Sequence, residues 1–202
     1  MNKWLVIAAV ISLSSAGSAA YAEGDAAAGE AKSAACASCH GADGNSANPE
    51  WPKLAGQHPL YLVKQLKEFK SGARSNPMMS PMAAPLSEQD MADLAAYYSA
   101  QNSQPGAADE ALVEVGEDIY RGGIPATGVA ACIGCHGPAG AGNPAAKFPA
   151  LSWQHSNYTV NQLQAFKAGQ RNNDAGKMMR NVAGPMTEQE IKAVASYIQG
   201  LH

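Results

Sequence analysis

Apolar positions recur at helical spacing in two places that mirror one another. Met91, Leu94, Ala95 and Tyr98 stand at i, i+3, i+4 and i+7, and Ile191, Val194, Ala195 and Ile198 repeat the stripe near the C-terminus. Each stripe follows a helix-start signal. Ser87 has Asp90 three residues on, a variant of the capping box, and Thr187 with Glu190 makes the fuller box. A further stripe puts Leu62, Leu66 and Phe69 on one face of a segment that opens after Pro59 and stops at Gly72. Asp25 is placed to cap a first helix carrying Ala26 to Ala35. No run alternates as a strand would, so the pattern predicts an all-α protein.

The pattern also repeats as a whole. Trp51 to Arg74, WPKLAGQHPLYLVKQLKEFKSGAR, lines up with Phe148 to Arg171, FPALSWQHSNYTVNQLQAFKAGQR. Pro52 meets Pro149, Gln57-His58 meets Gln154-His155, Phe69-Lys70 meets Phe166-Lys167, and Arg74 meets Arg171. Between the matched halves, AQNSQPGAADEA at Ala100 to Ala111 reads as an exposed linker, with the boundary near Pro105. The expected organisation is a first domain over 23–102, a linker over 103–112 and a second domain over 113–202. The N-terminus reads separately: a basic start at Lys3, an apolar run from Trp4 to Ala16 and an Ala20-Tyr21-Ala22 cleavage pattern. Residues 1–22 therefore read as a cleaved secretory signal peptide. Their apolar core is shorter than the roughly 20 residues of a spanning helix. The mature chain is expected to start at Glu23, soluble and outside the cytoplasm.

Composition narrows the class. Hydrophobic residues make up 46% of the chain and charged residues 15%, as in a soluble globular protein. There is no basic run and the pI is about 5.9, which argues against nucleic acid as a partner. A helical unit of roughly 80 to 90 residues, rich in Ala and Gly, builds little core from side chains alone. A large apolar cofactor in each half would fill the deficit.

All four cysteines lie in two copies of one motif, CASCHG at Cys36–Gly41 and CIGCHG at Cys132–Gly137. Cys-x-x-Cys-His is the signature of covalent haem attachment. The cysteines, Cys36 with Cys39 and Cys132 with Cys135, sit about one helical turn apart and can form thioethers to two vinyl groups of one porphyrin. The adjacent His40 or His136 then falls beneath the iron as proximal ligand. A thioredoxin-like dithiol would need a βαβ pattern, and a zinc site would need further ligand pairs at short spacing. Neither surrounds these motifs. Two covalently bound haems c are therefore expected, with no disulfide.

For the opposite axial position, MMSPMAAPLS aligns with MMRNVAGPMT. Met82 faces Val182 and Met186 faces Leu86, which removes both as shared ligands. Of the doublets, Met79 and Met179 are preferred to Met78 and Met178, because each precedes an Ala by four residues and a helix cap by eight. His58 and His155 also match and keep bis-His ligation open as a rival. Pro52 and Pro149 are placed to accept the second N–H of the proximal histidines. Arg74 and Arg171 could meet haem propionates or solvate a helix end. Tyr61, Tyr158, Tyr97 and Tyr197 would line a haem pocket or lock the terminal helices.

These motifs and the shared Pro-x-Leu…Gln-His…Tyr…Gln-Leu…Phe…Gly-x-Arg block resemble the dihaem cytochrome c4 family over nearly all of the mature chain. The resemblance implies two tandem class I cytochrome c domains related by a pseudo-twofold axis. Gly29 and Gly116, paired with Tyr97 and Tyr197, are similar to the contact between N- and C-terminal helices of that class. The resemblance further implies a monomeric periplasmic electron carrier, loosely membrane-associated, passing electrons from a bc1-type complex toward a terminal oxidase. Two other functions use the same motifs: a dihaem peroxidase, and an electron-entry subunit of a larger oxidoreductase.

The halves are not identical. Gly116 to Cys132 is longer than Gly29 to Cys36, and Arg171 to Met179 is longer than Arg74 to Met79. Residues 23–102 hold nine acids against six Lys/Arg, whereas 113–202 hold six against seven. Unequal haem environments and a dipolar molecule are expected.

Overall fold

The computed structural model describes residues 23–202, so the signal peptide read over residues 1–22 lies outside the described residues. In the first half the chain forms α1 (Ala26–Lys32), α2 (Ala34–His40), α3 (Pro59–Ser71), α4 (Met79–Ala83) and α5 (Glu88–Ser99). The second half repeats the order with α6 (Glu110–Gly122), α7 (Ile133–His136), α8 (Ser156–Lys167), α9 (Met178–Ala183) and α10 (Glu188–Gly200). Among the described residues there are no strands, only isolated bridges at Ile124–Val129 and Asn143–Phe148. The fold is all-α.

The helix signals act through local hydrogen bonds. The Ser87 hydroxyl accepts from Asp90 N at 3.1 Å while the Asp90 carboxylate accepts from Ser87 N at 2.9 Å. Thr187 and Glu190 do the same at 3.2 and 2.7 Å. Helix α3 ends at Gly72, whose φ of 80° is the left-handed cap conformation. Asp25 caps the first helix, accepting from Ala27 N and Ala28 N at 2.8 and 3.2 Å.

Two boundaries differ from the sequence reading. The first helix does not run unbroken to Ala35. The Ser33 hydroxyl donates to Glu30 O at 2.8 Å, which competes with the helix ladder, and the chain restarts as α2. That second helix carries the first Cys-x-x-Cys-His. At the other boundary α6 begins at Glu110, so residues 110–112 of the expected linker are helical. Asp109 supplies the cap, accepting from Ala111 N at 3.0 Å, and Glu110 gives the first turn its favourable negative charge.

Each half has its own apolar core. In the first, Leu62, Leu94, Ala95 and Tyr98 cluster with the partly buried Cys36, Leu54 and Leu86. In the second, Ile119, Tyr120, Leu163, Phe166, Met186, Ile191, Val194 and Ile198 form a larger cluster that Cys132 and Met179 border. The terminal helices of each half cross at a glycine. A methyl group on Gly29 would lie 2.0 Å from Asp93 O, and one on Gly116 would lie 2.4 Å from Ala193 O. Tyr97 and Tyr197 pack at these crossings, their Cβ atoms 2.8 and 2.7 Å from the same added methyls. Only a residue without a side chain lets the helix backbones meet this closely.

The halves join through polar groups. Gln57 Nε2 donates to Ala150 O at 2.9 Å and Gln57 Oε1 accepts from Ala150 N at 2.9 Å. Gln154 repeats the pairing on Lys53, donating to its carbonyl at 3.0 Å and accepting from its N–H at 2.9 Å. The reciprocity marks an approximate twofold axis between the halves.

Candidate haem sites

The sites are built on the helix that ends each Cys-x-x-Cys-His. Both histidines close their helix and are buried, His40 at 6% exposure and His136 at 7%. His40 Nδ1 lies 2.9 Å from Pro52 O, and His136 Nδ1 lies 3.0 Å from Pro149 O. A carbonyl oxygen can only accept, so Nδ1 carries the proton and Nε2 keeps its lone pair. Burial pushes both imidazole pKa values down, against the hydrogen bond to the proline carbonyl, which favours the charged form. Each histidine is thus a neutral imidazole of one tautomer with Nε2 free to bind a metal.

The two cysteines of each motif lie within one turn of chain and are not joined in a disulfide. Burial raises the Cys36 pKa and pushes Cys132 up to about 11. Neither Cys36 nor Cys132 therefore has the depressed pKa that activates a redox nucleophile.

The methionine doublets separate by exposure. Met78 is 53% exposed and Met178 42%, whereas Met79 and Met179 are half-buried. Asn76 Oδ1 accepts from Met78 N and Met79 N, both at 2.9 Å, and so fixes the start of α4. In the second half the longer loop forms a short 3₁₀ turn at Ala175–Lys177. There the buried Asp174 carboxylate accepts from Arg180 Nε at 2.7 Å and Arg180 N at 3.0 Å. The two methionines are therefore held by different devices. Met82 is exposed and Met186 is buried in the core.

The donor set fits a covalent haem in each half: two thiols one turn apart, a buried imidazole with a free Nε2, and a half-buried thioether on a separate helix.

The other matched residues meet across the interface. His58 Nε2 lies 2.7 Å from Ala141 O and His155 Nε2 lies 2.8 Å from Ser46 O, so each imidazole donates to the opposite half. Arg74 is buried; it donates to Gln65 at 2.8 Å, to Gln162 at 2.7 Å and to the Tyr158 hydroxyl at 3.2 Å. Arg171 mirrors it, donating to Gln162 at 2.9 Å and to the Tyr61 hydroxyl at 3.0 Å. Each guanidinium also stacks on a phenylalanine of its own half, Arg74 on Phe69 at 4.6 Å and Arg171 on Phe166 at 4.5 Å. These arginines do more than solvate a helix end: they knit the halves together. Tyr61 and Tyr158 belong to the same network, whereas Tyr97 and Tyr197 hold the terminal helices, Tyr97 also donating to Ala42 O at 2.9 Å. Sequence reasoning gave no role to Gln57, Gln154, Gln65, Gln162, Asn76 or Asp174. The first four lie in the repeat, and their recurrence was the available signal.

The Cytochrome c family model matches residues 21–100 and 125–202, so each half is a c-type cytochrome domain. Cytochrome c4 of Thiocapsa roseopersicina is 56% identical over 180 residues, 88% of this chain and 93% of that protein. The crystal structure of reduced recombinant cytochrome c4 from Pseudomonas stutzeri superposes with a TM-score of 0.86 at 48% identity, covering 89% of this chain and all of that one. A protein named thiosulfate dehydrogenase electron acceptor, from Stutzerimonas stutzeri, is 42% identical over 167 residues, 81% of this chain and 77% of its own. The chain belongs to the cytochrome c4 family: it is an electron-transfer protein with two covalently bound haem c groups.

Proposed function

We propose that Cys36 and Cys39 hold the first haem and Cys132 and Cys135 the second, with His40 and His136 as proximal and Met79 and Met179 as distal iron ligands. The observation that carries this reading is the pairing of each imidazole Nδ1 with a proline carbonyl, which leaves the Nε2 lone pair available to a metal. The half-burial of Met79 and Met179 beside the exposed Met78 and Met178 supports the distal assignment. When bound, haem iron supplies one-electron Fe(II)/Fe(III) chemistry, and His/Met ligation sets it at high potential. The protein's part is to orient the imidazoles and to supply the cysteines and methionines that would hold the group. With a histidine and a methionine both holding each iron, no coordination position would be open to peroxide, which would separate this reading from a dihaem peroxidase.

The protein so read is a periplasmic carrier, exported by residues 1–22, with a first domain over 23–102 and a second that opens with α6 at Glu110 rather than at residue 113. A bc1-type donor and a terminal oxidase as acceptor are one partner set. A second rests on a specific observation: the 42% identical relative named as an electron acceptor of thiosulfate dehydrogenase. A sulfur-compound dehydrogenase would then be the donor. Among the described residues no helix is long and apolar enough to cross a membrane; loose peripheral association with the membrane is part of the same reading.

An optical potentiometric titration tests the assignment. Two low-spin haems with sulfur-ligand absorption are expected. Met79→Ala and Met179→Ala should each abolish that band in one haem, and Met78→Leu and Met178→Leu should leave it. Retention of the band in Met79→Ala would overturn the distal assignment. Reduction rates with thiosulfate dehydrogenase and with bc1 complex distinguish the donors.

A further inference from the structure

The peptide unit joining Pro52 to Lys53 is bonded at both ends. Its carbonyl accepts from His40 Nδ1 at 2.9 Å, and its N–H donates to Gln154 Oε1 at 2.9 Å. Gln154 belongs to the other half. The peptide joining Pro149 to Ala150 is held in the mirror-image way: its carbonyl accepts from His136 Nδ1 at 3.0 Å and its N–H donates to Gln57 Oε1 at 2.9 Å. Each glutamine amide also donates to the next carbonyl, Lys53 O at 3.0 Å or Ala150 O at 2.9 Å. Each Oε1 further accepts from the following histidine N–H at 3.0 Å. Two N–H donors at one end of each amide and a carbonyl at the other fix which atom is oxygen. His40, His136, Lys53, Gln57 and Gln154 are all buried, so water screens these bonds less than it would at the surface.

A peptide is a conjugated unit. A hydrogen bond accepted from its N–H draws electron density toward its oxygen, and chained bonds in a dry site polarise one another. The proline oxygen then pulls harder on the imidazole Nδ1–H. That raises the basicity of Nε2 and fixes the ring.

We infer that Gln57 and Gln154 are crossed positioning residues: each acts through one peptide unit on the proximal imidazole of the opposite half. Gln154 tunes the His40 site and Gln57 tunes the His136 site. The inference rests on the reading of His40 and His136 as iron ligands. Under it, docking of the halves and adjustment of both irons are one event. A more basic imidazole favours Fe(III), so each glutamine lowers the potential of the haem in the other half.

The test uses the full holoprotein and the substitutions Gln154→Met and Gln57→Met, which keep length and remove the acceptor. The readouts are the His40 and His136 Nδ1–H resonances of the reduced protein, assigned by residue, and the two reduction potentials. Gln154→Met should move the His40 resonance upfield more than that of His136 and raise the potential of the first haem. Gln57→Met should do the converse. Equal shifts in both halves, a shift confined to the substituted half, or no shift in the folded variant would overturn the inference. Should a Met variant not accumulate, Gln154→Asn and Gln57→Asn keep the site polar but fall short of the peptide, and the same crossed pattern decides. Failure of the ligand reading is seen separately, in the unsubstituted protein, as histidine resonances without displacement by a haem ring current.

Discussion

The Gly29 crossing allows a stability effect to be worked from geometry. In Gly29→Ala the new methyl would sit 2.0 Å from Asp93 O and 2.8 Å from the Tyr97 Cβ. Ordinary contact begins at 3.4 Å, so α1 and α5 must part by more than an ångström. The carbonyl is part of the α5 backbone and cannot swing aside as a side-chain tip would. Overpacking of this kind costs about 1–3 kcal/mol, and backbone against backbone belongs at the upper end. Replacing a helical glycine with alanine returns about 1 kcal/mol of propensity. The net loss is about 2 kcal/mol. In a unit of fewer than 100 residues that corresponds to a fall in Tm of roughly 8–16 °C. Calorimetry of the holoprotein, with haem absorption followed in parallel, reads it. The loss should fall in the first half, because α6 and α10 keep their own crossing at Gly116. A variant melting at or above the parent would refute the reasoning, since propensity alone would then be deciding.

Three further outcomes are expected. Asp93 is held at about 2 by the Lys32 ammonium, the Asp25 N–H and the Gln89 amide, so its folded pKa lies below the unfolded value of about 3.9. Its contribution is complete above pH 4 and disappears as pH falls through about 2; urea midpoints across that window should drop in the parent and flatten in Asp93→Asn. Arg74→Ala removes buried charged hydrogen bonds to Gln65, Gln162 and Tyr158 and should cost about 2 kcal/mol or more of interface stability, read as two separated calorimetric transitions. Arg74→Lys should not restore it, because an ammonium cannot span both glutamines and stack on Phe69. Charge reversal of the exposed lysines of the second half should change the salt dependence of association with one redox partner more than another; unchanged association with all partners would remove the dipole from consideration.

Local sequence settled much of this protein. The stripes through Met91–Tyr98 and Ile191–Ile198 and the boxes at Ser87 and Thr187 lie where the pattern puts them, because each depends on neighbours within one turn or two. The doubled Cys-x-x-Cys-His is legible for the same reason: its two thiols and imidazole lie within one helical turn. The break at Ser33 and the start of α6 at Glu110 escaped because one side-chain hydrogen bond decided each, against an otherwise favourable pattern. What only the tertiary structure decided is the meaning of the polar repeat. Gln57-His58, Gln154-His155, Arg74 and Arg171 recur in the sequence without saying whether they serve their own half. Their partners lie more than eighty residues away, at Ala150, Lys53, Ala141, Ser46, Gln162 and Tyr61, and no local spacing encodes such a distance. Two similar domains could have docked through many faces. Burying these amides and guanidiniums requires a partner for each, and the crossed arrangement supplies them in the opposite half.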